Sequence, residues 1–254
     1  MKTALVLSYL GRDYHGWQRQ NNALTIQQLI EDAWLKTCGS PAYLSGCGRT
    51  DAGVHAKYYV ASTDAPTTIP LSRLPAALNA RLPEGVVIHR AVAVEDSFDA
   101  RFSCVKKEYT YLIHNGRTRD PFFTDRAWFY PQKLDVDAME RAARDLVGKQ
   151  DFAAVKNEGT PVKSTVRTIF YCHVERRGGE MIAIRVCADG FLYNMVRAIT
   201  GTLVYVGIGK IAPDGIPASL QSRDRLRAGP TAPPCGLYMT ALDYQREDLD
   251  GRAD

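Results

Sequence analysis

Twenty consecutive residues, Gly190 to Gly209, carry a single charge, that of Arg197. Phe191, Met195, Ile199, Leu203 and Val206 recur at helical spacing, which predicts a helix over 190–206. A helix that is apolar or small nearly all round has to be buried. Arg197 interrupts the run, and polar residues flank it, so the stretch does not read as a membrane span. By helical angle Arg197 lies opposite the apolar stripe. A buried guanidinium is costly unless it meets a carboxylate or a phosphate. The chain must therefore build a core around this helix and supply an anion to its one cation. Its 254 residues, 45% of them hydrophobic, are enough for one large or two modest domains.

The anion is sought in Gly46-Cys47-Gly48-Arg49-Thr50-Asp51-Ala52-Gly53-Val54-His55-Ala56. Three glycines allow positive φ or close backbone approach. Asp51 beside Arg49 is the first place to look for chemistry. Read on its own, the same aspartate serves equally well as the cap of a turn. His55 reads as structural. The six cysteines show no C-x-x-C pair, and the five histidines no H-x-x-x-H pair. Reduced thiols, no metal and no cofactor are expected. A net charge of +4 is compatible with a polyanionic partner without requiring one. The apolar run Ala4–Leu10 reads as a first strand rather than a signal peptide. A soluble cytoplasmic protein with no membrane partner is expected.

Along the chain, Thr3–Leu10 predicts a buried strand, followed by a loop of cations, aromatics and amides from Gly11 to Gln20. Thr25 and Gln28 form a capping box, and Ile26, Leu29, Ile30, Ala33 and Trp34 a helical stripe ending at Gly39. Lys57–Thr63 and Val86–Val94 predict strands, and Leu71–Leu82 a helix. Lys106–Ile113 alternates with period two, with Tyr109, Tyr111 and Ile113 on one face of a half-buried strand. The stretch from Arg101 to Arg119 holds five cations against one acid. Val136–Val147 predicts a helix, Val166–Val174 and Met181–Cys187 a hairpin, and Leu237–Tyr244 a last strand. Strands and helices mix without regular βαβ alternation, so the expected class is α+β with a largely antiparallel sheet. The expected divisions are 1–105, 106–245 and a charged, frayed tail over 246–254.

Gly48-Arg49-Thr50-Asp51-Ala52-Gly53-Val54-His55-Ala56 resembles the signature loop of the TruA-type tRNA pseudouridine synthases. In the same order, other segments are similar to that family's pattern: Tyr9, Gly11, Tyr14, Gly16-Trp17-Gln18 and Gln20; Phe98 to Ser103; Lys107-x-Tyr109-x-Tyr111; Asp151-Phe152; Val166 to Ile169; Asn194 to Arg197 with Gly201; and Gly236-Leu237-Tyr238. The resemblance spans essentially the whole chain. It implies isomerisation of uridine to pseudouridine at positions 38, 39 and 40 of the tRNA anticodon arm. It also implies the pseudouridine synthase fold: two similar halves around a central mostly antiparallel sheet flanked by helices, with a basic active-site cleft between them, in a homodimer.

With that resemblance, Asp51 becomes the essential carboxylate. It could add to the uracil ring, add to the ribose anomeric carbon, or remove a ribose proton. Arg197 becomes the partner that keeps Asp51 ionised. Tyr109 becomes the platform for the extruded base, and its phenol a relay for the C5 proton. Arg49, Arg12, Arg19, Arg101 and Arg167 are expected to contact RNA, together with Lys106. The glycines of the Asp51 loop are read as room for the flipped nucleotide. Two rivals remain. A non-catalytic tRNA-binding protein would not need Asp51, Tyr109 and Arg197 together. A hydrolase using Asp51 as nucleophile would need a second acid, base or metal, and no motif supplies one.

Overall fold

The computed structural model describes residues 2–159 and 161–252. In chain order the elements are β1 (Lys2–Tyr9), α1 (Ile26–Cys38), β2 (Ser45–Gly46), β3 (His55–Thr63), α2 (Leu74–Asn79), β4 (Val86–Val94), β5 (Lys106–His114), β6 (Trp128–Phe129), α3 (Val136–Arg144), β7 (Gly148–Asp151), β8 (Val166–Arg177), β9 (Met181–Ala188), α4 (Met195–Gly207), α5 (Ile216–Ser222), β10 (Leu237–Asp243) and β11 (Gly251–Arg252). The class is α+β. The chain divides into two compact units, Met1–Lys107 with Tyr238–Asp254, and Glu108–Leu237.

In the first unit the strands run β4-β1-β3-β10. β1 is antiparallel to both neighbours, with Val6 opposite Val60 and Leu7 opposite Ile88. A strand paired on both edges and covered on both faces needs a continuous apolar run, and Ala4 to Leu7 are all buried. β10 returns from the far end of the chain to pair parallel with β3, Tyr238 opposite His55. On α1 the Thr25 hydroxyl accepts from the Gln28 N–H at 3.4 Å, a cap worth about 1 kcal/mol. Gly39 ends the helix at φ 75. Ile26, Ile30, Ala33 and Trp34 are buried as the stripe predicts. The helix predicted over 71–82 is confined to Leu74–Asn79; Pro75 sits in its first turn, where a missing N–H costs nothing, and Pro70 and Pro83 stand on either side of it.

The tail is not frayed over its described part. Leu249 is fully buried, β11 pairs with β10, and Asp250 accepts from the Tyr244 and Arg246 amides. One apolar residue in a charged run is enough to anchor it. Residues 253–254 of the predicted tail lie outside the described residues.

In the second unit the order is β5-β9-β8-β7. β8 and β9 form the predicted hairpin, turning through Gly178 and Gly179 at φ 47 and 56. α3 buries Ala138, Met139, Ala142 and Ala143 and packs on β8 and α4. β5 departs from the half-buried expectation. Its polar face is buried as well, because those side chains find partners inside: Glu108 accepts from the Tyr171 hydroxyl, and His114 pairs with Glu180. α4 also starts later than predicted, at Met195. Asn194 takes a left-handed φ of 58, which asparagine tolerates better than most residues, so Phe191 lies ahead of the helix rather than on it. From Met195 to Gly207 the helix is buried nearly all round. β3–β10 and β5–β6 pair parallel, and β1–β3, β1–β4, β2–β3, β7–β8, β8–β9 and β10–β11 pair antiparallel. Among the described residues no helix is long and apolar enough to cross a membrane.

Candidate active site

Asp51 is half-buried in the connection from β2 to β3. The Val54 amide donates to the Asp51 carbonyl at 3.1 Å, and Gly53 takes φ 79 between them. That is the third position of a turn that requires positive φ. The loop after β1 then grips this turn along its backbone. Trp17 N–H donates to the Thr50 carbonyl at 3.2 Å, and Gly53 N–H to the Tyr14 carbonyl at 3.2 Å. The Tyr9 and Thr50 hydroxyls lie 2.9 Å apart, and Gly11 N–H donates to His55 Nδ1 at 3.0 Å. A Cβ on Gly11 would sit 1.9 Å from the Val54 carbonyl oxygen. The two loops therefore touch backbone to backbone, which only glycine permits.

This corrects the sequence reading of the glycines. Gly46 makes room for Tyr59 and Trp17, whose rings stack at 4.3 Å, and Gly53 supplies the turn. Neither is explained by an approaching nucleotide. His55 is structural as expected: it is fully buried, its Nδ1 accepts, and its ring stacks on Tyr238 at 4.7 Å. A neutral His55 then carries its proton on Nε2. The root of the loop is held by the Lys107 ammonium, which donates to the Cys47 carbonyl, and by the Tyr59 hydroxyl on the Gly48 carbonyl. Burial pushes the Cys47 thiol up to about 12, so it stays protonated.

A polar cluster on α1 fixes the gripping loop in turn. Glu31 is buried, and it accepts from Gln27 Nε2 at 2.8 Å, Leu44 N–H at 3.0 Å and Arg19 Nη1 at 2.9 Å. Gln27 Oε1 accepts from Gln18 Nε2 and from the Arg19 amide. The sequence reading missed Gln27 and Glu31. Their signal was there: two polar residues at i and i+4 next to an apolar stripe.

In the second unit Tyr109 is 8% exposed on β5, and the Phe191 ring meets it edge to face at 5.2 Å and 89°. Arg197 lies in the first turn of α4. Its Nε donates to the Ala232 carbonyl at 2.7 Å and its Nη1 to Asn194 Oδ1 at 2.8 Å, while its own carbonyl accepts from Ala232 N–H at 3.1 Å. These bonds fix the plane of the guanidinium. Among the described residues no three His, Cys, Asp or Glu side chains converge as a metal site requires.

A family model described as tRNA pseudouridine synthase matches residues 5–103 and 142–245. The chain belongs to the tRNA pseudouridine synthase family. The tRNA pseudouridine synthase A of Thermoanaerobacter sp. (strain X514) is 45% identical over 240 residues, covering 94% of this chain and 98% of that one. The enzyme of the same name from Methylacidiphilum infernorum (isolate V4) is 45% identical over 241 residues, 94% of each chain. That of Rhodopseudomonas palustris (strain BisA53) is 43% identical over 242 residues, 95% and 98%. Among solved structures, a Cbf5–Nop10–Gar1 complex aligns at a TM-score of 0.38 and 12% identity over 93% of this chain and 57% of that one, a likeness too slight to reason from.

A pseudouridine synthase is an isomerase: it breaks the N-glycosidic bond of a uridine and rejoins the base through C5. The cations that such an enzyme would turn toward RNA differ in how they are held here. Arg49 is exposed two residues from Asp51. Arg12 is exposed and 3.1 Å from Asp13. Arg101 is exposed, with its guanidinium over the Phe102 ring at 5.3 Å. Asp99 sets that turn, accepting from the Arg101 and Phe102 amides at 2.8 and 2.9 Å and from Ser45 Oγ at 3.0 Å. Lys106 pairs with Asp243 at 3.6 Å. Arg167 folds back on the Ser164 and Val166 carbonyls. Arg19 differs from the sequence reading in having two carboxylates already, Glu31 and Asp32 at 3.6 Å.

Proposed function

We propose that this chain isomerises uridine to pseudouridine at positions 38, 39 and 40 of the tRNA anticodon arm, in the cytoplasm and as a homodimer. The observation that carries the reading is Asp51, a half-buried carboxylate on a turn whose backbone is gripped along its length by Gly11 to Trp17. Catalysis requires a reacting group held still before the substrate arrives. Relatives 45% identical, named tRNA pseudouridine synthase A, support the substrate.

A stem uridine has to leave its stack before any side chain reaches it, at a cost of a few kcal/mol. In this reading Tyr109 receives the extruded base, its ring kept upright by Phe191. Asp51 is the ionised carboxylate. Three steps are open to it: addition to the uracil ring, addition to the ribose anomeric carbon, or removal of a ribose proton. Arg197 is the cation this reading assigns to catalysis, its guanidinium held by the Ala232 carbonyl and Asn194 Oδ1. The Tyr109 phenol takes part in removing the C5 proton once the carbon–carbon bond has formed. Arg49, Arg12, Arg101 and Arg167 supply phosphate contacts that offset the cost of extrusion.

The test is Asp51→Asn on an anticodon-arm substrate. The variant should bind tRNA as tightly as wild type and form no pseudouridine by a pseudouridine-specific chemical probe. Normal turnover removes Asp51 from the chemistry. Modification confined to another arm of the tRNA overturns the assignment to positions 38–40.

A further inference from the structure

Arg225 is a half-buried cation whose partners are all neutral. Its Nε donates to Asn157 Oδ1 at 3.0 Å, its Nη1 to the Gly229 carbonyl at 2.6 Å, and its Nη2 to Thr231 Oγ1 at 2.9 Å. No carboxylate among the described residues lies within ion-pair distance of it, and burial pushes its pKa down. A guanidinium held this way gives up water without gaining a counter-charge, which costs stability. Asn157 closes the cluster, with its Nδ2 3.0 Å from Thr231 Oγ1.

The cluster fixes one short piece of chain, 229–232. The same piece lies along α4. Gly229 N–H donates to Thr202 Oγ1 at 2.9 Å, and a Cβ on Gly201 would sit 1.7 Å from the Pro230 carbonyl oxygen. Its last residue, Ala232, accepts from Arg197 Nε and donates to the Arg197 carbonyl. Arg225 thus sets the position of the carbonyl that orients the Arg197 guanidinium.

We propose that Arg225 is a positioning residue for the isomerisation, acting through Asn157, Thr231 and Gly229 to hold the Ala232 carbonyl against Arg197. This rests on the reading that Arg197 works in catalysis. A planar guanidinium donates from three separate nitrogens in a rigid fork and so reaches three oxygens set apart, whereas lysine and glutamine each donate from a single nitrogen. A misplaced guanidinium slows turnover while leaving tRNA binding intact, since binding draws on many phosphate contacts.

The experiment compares Arg225→Gln, Arg197→Ala and the double variant in steady-state pseudouridine formation, with folding checked by urea unfolding. Arg225→Gln should lower kcat at least tenfold and leave KM within twofold. In the Arg197→Ala background it should add less than twofold. An unchanged kcat, a loss carried by KM, or a full further tenfold loss without Arg197 overturns the proposal. Wild-type turnover by Arg197→Ala removes the reading of Arg197, and this proposal with it. An impaired Arg197→Ala beside a fully active Arg225→Gln removes the proposal alone. If Arg225→Gln does not fold, Asn157→Ala must show the same pattern at smaller amplitude, and its absence counts against the proposal.

Discussion

Gly16 stands so close to Thr50 that a methyl group on its Cα would lie 2.2 Å from the Thr50 carbonyl oxygen. Gly16 also takes φ 80, a conformation that residues with a Cβ rarely adopt. Gly16→Ala should therefore cost about 1–3 kcal/mol of stability. It should also push Asp51, the residue after Thr50, out of place. A displacement of 1 Å at a reacting group costs on the order of a hundredfold in rate. Urea unfolding and single-turnover kinetics read the two effects. Full turnover in a folded Gly16→Ala shows that the grip does not position Asp51.

Arg19 and Arg49 should behave differently although both are exposed cations. Arg19→Ala leaves the buried Glu31 short of a donor and should lower the urea midpoint, with little change in how tRNA affinity depends on salt. Arg49→Ala should leave the midpoint alone and reduce the magnitude of the salt slope of tRNA binding by about one. Equal salt slopes for the two variants would show that the distinction drawn from their partners is wrong.

Tyr109→Phe keeps the ring that meets Phe191 and removes only the hydroxyl. Affinity for tRNA should stay within about twofold, while turnover falls by roughly 10²-fold, the lower range for loss of a proton-transferring group. Survival of full turnover leaves Tyr109 with stacking alone. Phe191→Leu should cost about 0.5–1.5 kcal/mol through the lost aromatic pair.

Acid should destabilise the fold through Asp151 and Asp99. The Thr165 hydroxyl, helped by the Ala153 amide and Arg223, holds Asp151 below the usual carboxylate range. Asp99 feels burial, which pushes it up, but the Phe102 and Arg101 amides with Ser45 outweigh this and bring it down. Both folded values lie below the unfolded ones. Their stabilisation is therefore complete above the unfolded range, about pH 4, and is lost as pH falls through the folded values. Urea midpoints measured from pH 7 to pH 3 should fall below pH 4, and less steeply in Asp151→Asn. A flat profile contradicts the assignment.

The period of the apolar residues made the strands and the longer helices legible, since burial on one face leaves a pattern that needs no partner to be seen. Thr25 and Gly39 marked the ends of α1 for the same reason: capping is local. What stayed hidden depends on residues distant in sequence. Glu108 and His114 look like the wet face of β5, but Tyr171 and Glu180 turn that face inward. Phe191 fits the helical stripe of α4, yet the left-handed Asn194 cuts it off. The loop carrying Asp51 could be picked out by its residue types. What its glycines serve could not, because Gly46 answers to Tyr59 and Trp17, and the grip on Thr50 and Val54 comes from Gly11 and Gly16, some forty residues earlier.

The return of β10 to the first unit has a consequence in time. The Glu108–Leu237 unit is continuous in sequence and has all its residues once Leu237 has been made. The other unit lacks the strand that lies against His55, and the Met239 side chain beside Gly48 and Cys47, until Leu237–Asp243 has been made. During synthesis the loop that bears Asp51 is made well before Tyr238 and Met239, the residues that complete its surroundings. A chain stopped before Tyr238 would contain every residue of the unit that holds the Arg197 helix, and would lack the strand and the Met239 side chain that stand beside the loop of Asp51.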